Sequence, residues 1–247
     1  MPFSTKRLLS LLLAFLAACT GTPHAPESAA PAAAPEAVAK EPSVKPGIND
    51  AFKNNVDVQR FVNQFETESR EIYSRRRAVA DAVGLRPGEH VADIGTGTGV
   101  FLPVFAKDVG PTGLVYGVDI APEFLARLGK RLREWGIDNV RLILCKDDSV
   151  ELPPASVDVV FICDTYHHFE YPRATLASIH RALRPGGRLV LVDFIRIEGV
   201  SRQWALDHVR AGQEVFSAEI EAAGFRRVDE VNGVLKENYI VRFRRVP

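Results

Sequence analysis

Two short segments hold the residue types that ligand binding and catalysis need. The segment Asp93-Ile-Gly-Thr-Gly-Thr-Gly99 sets a carboxylate beside three alternating glycines, and Asp164-Thr-Tyr-His-His-Phe169 brings together a carboxylate, a phenol and two imidazoles. Glycines let the backbone pass close to a ligand, and an imidazole can accept a proton near neutral pH. The first segment therefore predicts a ligand-binding turn, and the second predicts a place where a substrate could be deprotonated.

The glycine turn follows an apolar run at 90–94 and precedes a helical pattern at about 100–109. A ligand of an open α/β sheet lies at such a junction, where a strand ends and a helix begins. A dinucleotide fingerprint requires G-x-G-x-x-G, but Val100 stands at the third glycine position and Gly99 comes one residue early. No Gly-Lys-Ser/Thr follows the turn, so the Walker pattern fails too.

The elements that position these segments follow from the alternation of short apolar runs with longer amphipathic stretches from about residue 48 onward, which predicts an α/β domain with a parallel sheet. Two helices are expected before the first strand. The predicted strands are 90–94, 114–119, 140–145, 157–163, 189–193, 227–231 and 239–243. The later predicted helices are 100–109, 122–135, 173–183 and a long polar helix at 201–223. The last two strands are expected to form an antiparallel hairpin at one edge.

The glycine turn resembles motif I of the class I S-adenosylmethionine (SAM)-dependent methyltransferases, and four further matches follow in the family's order. They are Asp119 at the end of the second strand, Asp148 before Leu-Pro, Asp164 at the end of the fourth strand, and the turn Leu183-Arg-Pro-Gly-Gly-Arg-Leu189. The resemblance implies a Rossmann-like, doubly wound, mostly parallel seven-stranded sheet with helices on both faces. It also implies methyl transfer from SAM to a small-molecule acceptor.

The same resemblance assigns cofactor contacts. Asp93 is expected to support the methionine amino end, Asp119 to accept hydrogen bonds from the ribose, and Asp148 to meet the adenine amino group, with Asp147 as a solvated neighbour. Tyr73 belongs to a segment before the first strand that is expected to fold over the cofactor, together with Glu68 and Arg70. The full set of implied cofactor-binding residues is Asp93, Gly95, Thr96, Gly97, Gly99, Asp119, Ile120, Asp148, Ser149, Asp164 and Tyr73.

The candidate catalytic residues are His167, His168 and Tyr166, which follow the fourth strand. Either histidine could deprotonate a phenol, hydroxyl or thiol, and the sequence does not separate the two. The alternative is that the pair only packs and caps the following helix. Tyr166 is expected either to orient the acceptor or to cover the mouth of the pocket.

Composition excludes other partners. The chain has 31 basic and 31 acidic residues among 247, so it lacks the basic surface of a nucleic-acid-binding protein. Cys145 and Cys163 lie in apolar runs and form no CxxC or Cys/His spacing, so the sequence predicts no metal site. The oligomeric state is not predicted.

The first residues have the order of an export signal. Lys6 and Arg7 precede an apolar stretch at 8–18 that is too short to span a bilayer as a helix. Leu16-Ala-Ala-Cys19 resembles the lipobox of bacterial lipoproteins, which implies anchoring at the membrane of the cell envelope through a lipidated Cys19. If the signal is not used, the protein stays in the cytosol.

The expected organisation is thus a signal peptide at 1–18, an alanine- and proline-rich flexible tether at 19–47, and a methyltransferase domain at 48–247. Export conflicts with the cofactor, because SAM is made in the cytosol. A second hypothesis is therefore a lipid-anchored, non-catalytic binding protein that keeps the methyltransferase fold.

Overall fold

The computed structural model describes residues 41–247. The predicted signal peptide, Cys19 and the tether as far as residue 40 lie outside the described residues. The last residues of the predicted tether contact the domain. The hydroxyl of Ser43 donates a hydrogen bond to Glu170 Oε2 at 2.8 Å, and the amide of Val44 donates to the Glu170 carbonyl at 2.9 Å.

Helices and strands alternate through the described chain. The helices are α1 (Val58–Phe65), α2 (Glu71–Ser74), α3 (Arg76–Val83), α4 (Leu102–Val109), α5 (Pro122–Glu134), α6 (Pro172–Ala182), α7 (Gln203–His208) and α8 (Gln213–Ala222). The strands are β1 (His90–Ile94), β2 (Leu114–Asp119), β3 (Val140–Leu144), β4 (Val157–Cys163), β5 (Leu183–Phe194), β6 (Phe225–Glu230) and β7 (Asn238–Arg245). Within residues 41–247, no helix combines the length and apolar character needed to cross a bilayer.

All seven strands join one sheet in the order β3-β2-β1-β4-β5-β7-β6. Strands β1 to β5 pair in parallel, and β7 pairs antiparallel with both β5 and β6. This arrangement confirms the predicted doubly wound sheet and its antiparallel C-terminal hairpin. The strand order reverses between β1 and β4, because β2 and β3 lie on one side of β1 and β5 lies on the other side of β4. Such a switch point opens a crevice at the carboxyl ends of the strands.

Helices cover both faces of the sheet, which explains why the central strands are almost continuously apolar. Successive side chains of a strand point to opposite faces. Accordingly Val91 packs in the cluster that contains Leu102 and Phe105 of α4, while Ile94 packs in the cluster that contains Leu176 of α6 and Phe216 of α8. The two apolar layers hold β1 rigidly between them, so the turn that leaves β1 starts from a fixed position.

The predicted long helix at 201–223 is two helices in the structure. Val209 has extended backbone angles (φ −76°, ψ 123°), and so does Gly212 (φ −86°, ψ 177°). The guanidinium of Arg196 donates to the carbonyls of Val209 at 2.8 Å and Leu206 at 2.9 Å, which satisfies groups that a continuous helix would have bonded internally. The break fixes the end of α7 at His208.

Two smaller differences concern the ends of elements. The Arg-Pro-Gly-Gly segment at 184–187 lies inside β5 instead of forming a turn before it, and the pairing of β4 with β5 shifts register between Val157 and Val159 to accommodate the extra residues. The second helix predicted before β1 is divided at Arg75 into α2 and α3.

The glycine turn yields a stability prediction. Gly95 has a positive φ of 72°, and a Cβ there would lie 2.2 Å from Cγ2 of Thr165, whereas Gly136 has φ 65° and no atom within 4 Å of its Cβ position. Both alanine variants carry the left-handed backbone cost, but only Gly95→Ala adds a clash, which costs about 1–3 kcal/mol. Urea unfolding should show Gly95→Ala to be the less stable variant by that margin. Equal stabilities would contradict the close packing of the turn against Thr165.

Candidate active site

A cleft of about 1100 Å³, including its open mouth, lies where the parallel strands end. The predicted residues that line it are Asp93, Gly95, Thr96, Gly97, Asp119, Ile120, Ser149, Asp164 and His168. Gly99, Asp148, Tyr73, Tyr166 and His167 are not part of its lining. The carboxyl ends of β1, β2, β3 and β4 therefore build one site, as their parallel pairing requires.

Asp93 is a buried carboxylate at the foot of the glycine turn. Its side chain accepts a hydrogen bond from the Thr96 hydroxyl at 2.8 Å, and the residue is only 3% exposed. Burial raises the pKa of Asp93 to about 7, and the nearby Asp119 adds to the rise. A cation placed beside Asp93 would favour its charged form, so the site is prepared for a positively charged group.

Asp119 ties the glycine turn to β2. Its carboxylate accepts from the amide of Gly97 at 2.7 Å and from the amide of Ala121 at 2.9 Å. Burial raises the pKa of Asp119 to about 6 against the lowering effect of these amides. Gly97 has a positive φ of 52°, and the absence of a side chain there keeps the cleft open above the carboxylate. Gly99 does not reach the cleft, and a Cβ there would lie 2.4 Å from Leu128, so it permits close packing of α5.

The loop after β3 presents Asp147 to the cleft, whereas the sequence favoured Asp148. Asp147 lines the cleft together with Ser149 and Ile120. Its Oδ1 atom is buried and has no hydrogen-bond partner among residues 41–247. Lys146 and Ser149 close a tight backbone turn here, with Lys146 N donating to the Ser149 carbonyl at 2.9 Å. Which of two adjacent aspartates faces the cleft depends on this turn, and the spacing in the sequence does not encode it.

Asp164 connects β4 to the segment before β1. The residue has a positive φ of 50°. Its carboxylate accepts from Arg70 Nη2 at 2.5 Å and from Asn238 Nδ2 at 2.6 Å. Burial raises the pKa of Asp164, and the Arg70 guanidinium opposes the rise. Arg70 lines the cleft and lies 4.5 Å from the centre of the Phe65 ring, so the predicted covering segment reaches the site through Arg70.

Tyr73 and Glu68, the other residues proposed for that segment, contact a different partner. The guanidinium of Arg76 lies over the Tyr73 ring at 4.3 Å, and Arg76 Nη1 is 3.6 Å from Glu68 Oε1.

The three predicted catalytic residues occupy different environments. Tyr166 is fully buried, and its hydroxyl donates to Glu219 Oε2 at 2.9 Å, so burial and that carboxylate raise its pKa well above the ordinary range. His167 is buried with Nδ1 2.8 Å from Asp193 Oδ1. His168 alone of the three lines the cleft. Burial lowers the pKa of His168 to about 2.

Sequence reasoning missed Asp193, and it did not place His208 beside His168. Asp193 is completely buried near the end of β5 and holds His167, and its signal was available, because it ends an apolar run as Asp119 does. His208 Nε2 lies 3.4 Å from His168 Nε2. No local pattern links positions that are 40 residues apart, so this contact could not be read from the sequence.

The chain is similar to known methyltransferases in sequence and in fold. Residues 92–191 match the family of methyltransferase domains. A SAM-dependent methyltransferase of Aquifex aeolicus superimposes with a TM-score of 0.69 at 25% identity, covering 78% of this chain and 100% of that one. The switch-point cleft, the glycine turn and the two strand-end carboxylates lie where an open α/β sheet binds its ligand.

Curated relatives include ubiquinone/menaquinone biosynthesis C-methyltransferases named UbiE. The protein from Burkholderia multivorans is 32% identical over 152 residues, which is 61% of this chain and 60% of the relative. The protein from Cupriavidus taiwanensis is 35% identical over 115 residues, which is 46% of each chain. The chain thus spans about half the length of these curated relatives.

SAM is the cofactor of this domain, and the residues in the cleft fit it. Asp93 offers a buried carboxylate for the ammonium group, and Asp119 offers acceptors for the ribose hydroxyls. The unpartnered Oδ1 of Asp147 offers an acceptor for the adenine amino group. A bound SAM supplies an electrophilic methyl group on a positively charged sulfur.

The raised pKa of Asp93 predicts a pH-dependent affinity for SAM. Below about pH 7 the Asp93 carboxyl is largely neutral, and above it the ionised form attracts the ammonium group. Calorimetric titration should therefore show affinity rising about tenfold from pH 6 to pH 8 through this group. Asp93→Asn should bind SAM more weakly at pH 8 and lose this part of the rise. SAM itself also titrates in this range, and its contribution is the same for both proteins. It therefore cancels when the pH profile of Asp93→Asn is subtracted from that of the wild type.

The exposed Asp138 provides the matched control, because Asp138→Asn makes the same chemical change outside the cleft. A wild-type profile that runs parallel to that of Asp93→Asn would contradict the assigned role of Asp93.

Proposed function

We propose that the protein transfers the methyl group of SAM to a small, largely apolar acceptor. The observation that carries this proposal is the composition of the cleft. Its acidic side, with Asp93 and Asp119, continues into a wall of aromatic side chains that includes Phe52, Phe65 and Phe124. The acidic side suits the cofactor, and the aromatic wall suits a flat, apolar acceptor.

Positioning supplies most of the rate in this proposal. The acceptor atom attacks the methyl carbon in line, the carbon–sulfur bond breaks, and its electron pair stays on sulfur as S-adenosylhomocysteine forms. Holding two reactants at the correct distance and angle can lower a barrier by about 7–11 kcal/mol. Arg70 and Asp164, joined at 2.5 Å, fix the segment before β1 against the strand ends and so limit how the reactants can move.

General base catalysis by the histidine pair is a weaker part of the proposal. A base with a pKa of about 2, like His168, takes few protons near neutral pH. His167 is better oriented by Asp193 but does not line the cleft. The assignment of His167, His168 and Tyr166 as catalytic residues remains a prediction, and an acceptor that is already nucleophilic would not require it.

The acceptor class is proposed from two independent supports. The relatives with 32% and 35% identity are named as C-methyltransferases of quinone biosynthesis. The aromatic wall of the cleft supports the same class, because Phe52 and Phe124 line it with ring centres 6.3 Å apart, and Phe61 packs against both rings and holds them in place. We therefore propose an electron-rich aromatic ring, such as a phenol or hydroquinone, as the acceptor.

The test is a methyl-transfer assay with SAM labelled on its methyl group and a panel of phenols, hydroquinones and aliphatic thiols. We expect label in the aromatic products and an equal amount of S-adenosylhomocysteine. Asp119→Asn removes charge-assisted hydrogen bonds worth about 1.5–3 kcal/mol, so its Kd for SAM should rise about 10–150-fold. Asp138→Asn should behave like the wild type. SAM binding without transfer to any acceptor on the panel would overturn the proposed acceptor class.

We also propose that the protein is anchored in the cell envelope as a lipoprotein. The support is the order of basic residues, the apolar stretch at 8–18 and Leu16-Ala-Ala-Cys19. Export is the reason for the second candidate function, a lipid-anchored binding protein without methyl transfer. An exported domain would meet little SAM, because SAM is made in the cytosol. A domain that binds SAM tightly but never consumes it in the panel assay would favour that candidate.

Metabolic labelling with a palmitate analogue tests the anchor. The full chain should carry the label and fractionate with membranes, and Cys19→Ala should lose both properties. Cys145→Ala is the matched control, because it removes a thiol from the folded domain and should leave labelling unchanged. Labelling that persists in Cys19→Ala would contradict lipidation at Cys19.

A further inference from the structure

Three histidines from two separate parts of the chain meet beside the cleft. His167 and His168 follow β4, and His208 ends α7. One ring nitrogen from each of the three lies within 4.8 Å of the other two. Imidazole nitrogen is the commonest side-chain ligand for transition metals, and three histidines with one open position form a known type of zinc site.

Asp193 sets the orientation of His167. Its Oδ1 atom lies 2.8 Å from His167 Nδ1 and accepts from the Phe194 amide at 2.8 Å, while its Oδ2 atom accepts from the His167 amide at 3.2 Å. A carboxylate can only accept hydrogen bonds, so His167 Nδ1 donates to Asp193, and Nε2 is the ring nitrogen left to face a metal ion. The carboxylate–histidine pair is the arrangement that supports metal-ligating histidines.

The distance between the other two rings matches a shared ion. His168 Nε2 and His208 Nε2 are 3.4 Å apart. Two nitrogens bound to one tetrahedral Zn²⁺ at about 2.0–2.1 Å are separated by about 3.3–3.4 Å. His168 Nδ1 has no hydrogen-bond partner in the described part of the chain, so no hydrogen bond from that atom fixes the tautomer against metal binding.

Packing holds the three rings in place. Trp204 stacks on His208 with ring centres 4.7 Å apart, Phe52 meets His168 edge-on at 5.4 Å, and Phe194 meets His167 at 5.8 Å. This preformed apolar enclosure limits rotation of the rings and the loss of side-chain entropy on binding.

Lys45 lies beside the cluster. Its ammonium group donates to the backbone carbonyls of His208 at 2.5 Å and Asp207 at 3.4 Å, so main-chain oxygens hold it and not the ring nitrogens.

We propose that His167, His168 and His208 form a binding site for one divalent transition-metal ion, Zn²⁺ in the first place, with Asp193 supporting His167 from behind. His168 lines the cleft, so the site borders the place where the acceptor is expected to bind. The open coordination position suits an oxygen or sulfur atom of a ligand. This site does not depend on the proposed methyl transfer, because the three ring nitrogens belong to the chain whether or not SAM is bound.

Metal binding to the full chain tests the proposal directly. The purified protein is treated with a chelator, and Zn²⁺ and Co²⁺ are then added separately. Equilibrium dialysis should give one Zn²⁺ per chain. The Co²⁺ form should show the visible absorption of a four- or five-coordinate nitrogen site without the near-ultraviolet band of thiolate ligation. Bound Co²⁺ should also quench Trp204 in a Trp135→Phe background, because Trp204 stacks on His208.

Variants decide whether these histidines hold the ion. His208→Gln and His168→Gln should each lower Zn²⁺ affinity at least 100-fold, and Asp193→Asn should lower it about 10–100-fold as a supporting residue does. His180→Gln, which changes a histidine outside the cluster, should leave affinity unchanged. Thermal melts identify any variant that fails to fold. His208→Gln should disturb folding least, because His208 lies on a short surface helix. Absence of bound Zn²⁺ at micromolar free metal, or equal affinity in His208→Gln, would overturn the proposal.

Discussion

The burial of carboxylates at the carboxyl edge of the sheet is the constraint on which the site depends. Asp93 and Asp119 are 3% and 5% exposed, and burying a carboxylate is costly unless hydrogen bonds or a cation compensate. Asp119 is compensated by the amides of Gly97 and Ala121, and this contact also holds the glycine turn against β2. Asp93 is less compensated, which is why its pKa rises to about 7. A cationic cofactor supplies the missing compensation.

The rest of the fold serves to place these groups. Parallel pairing brings the ends of β1, β2, β3 and β4 to one edge, and the two apolar layers keep β1 from shifting. The contact between Arg70 and Asp164 then brings the segment before β1 over the same edge. The cleft is therefore acidic on the side of β1 and β2, and aromatic on the side of the N-terminal helices.

Much of this arrangement could be predicted from the sequence, because it depends on local patterns. Apolar runs gave the bounds of β1, β2 and β4, and the acidic residues that end those strands predicted the wall of the cleft. Features that depend on tertiary contacts were not predictable. The choice of Asp147 over Asp148 as the cleft-lining residue depends on a four-residue turn, and the break between α7 and α8 depends on Arg196.

The histidine cluster also depends on tertiary contacts that the local sequence does not predict. His167 and His168 were singled out as catalytic candidates because they are adjacent after a strand, but their environment is set by distant residues. Asp193 comes from β5 and orients His167, and His208 comes from α7 and completes a cluster of three convergent ring nitrogens. A residue type alone therefore does not define a role, since the partners decide what a ring nitrogen can do.

The central claim is that the buried carboxylates at the ends of β1 and β2 bind SAM. A crystal structure of the protein with S-adenosylhomocysteine tests this most directly. We expect the amino end beside Asp93, both ribose hydroxyls on the Asp119 carboxylate, and the adenine amino group on Asp147. A ligand bound elsewhere, or bound in the cleft without contact to Asp119, would contradict it.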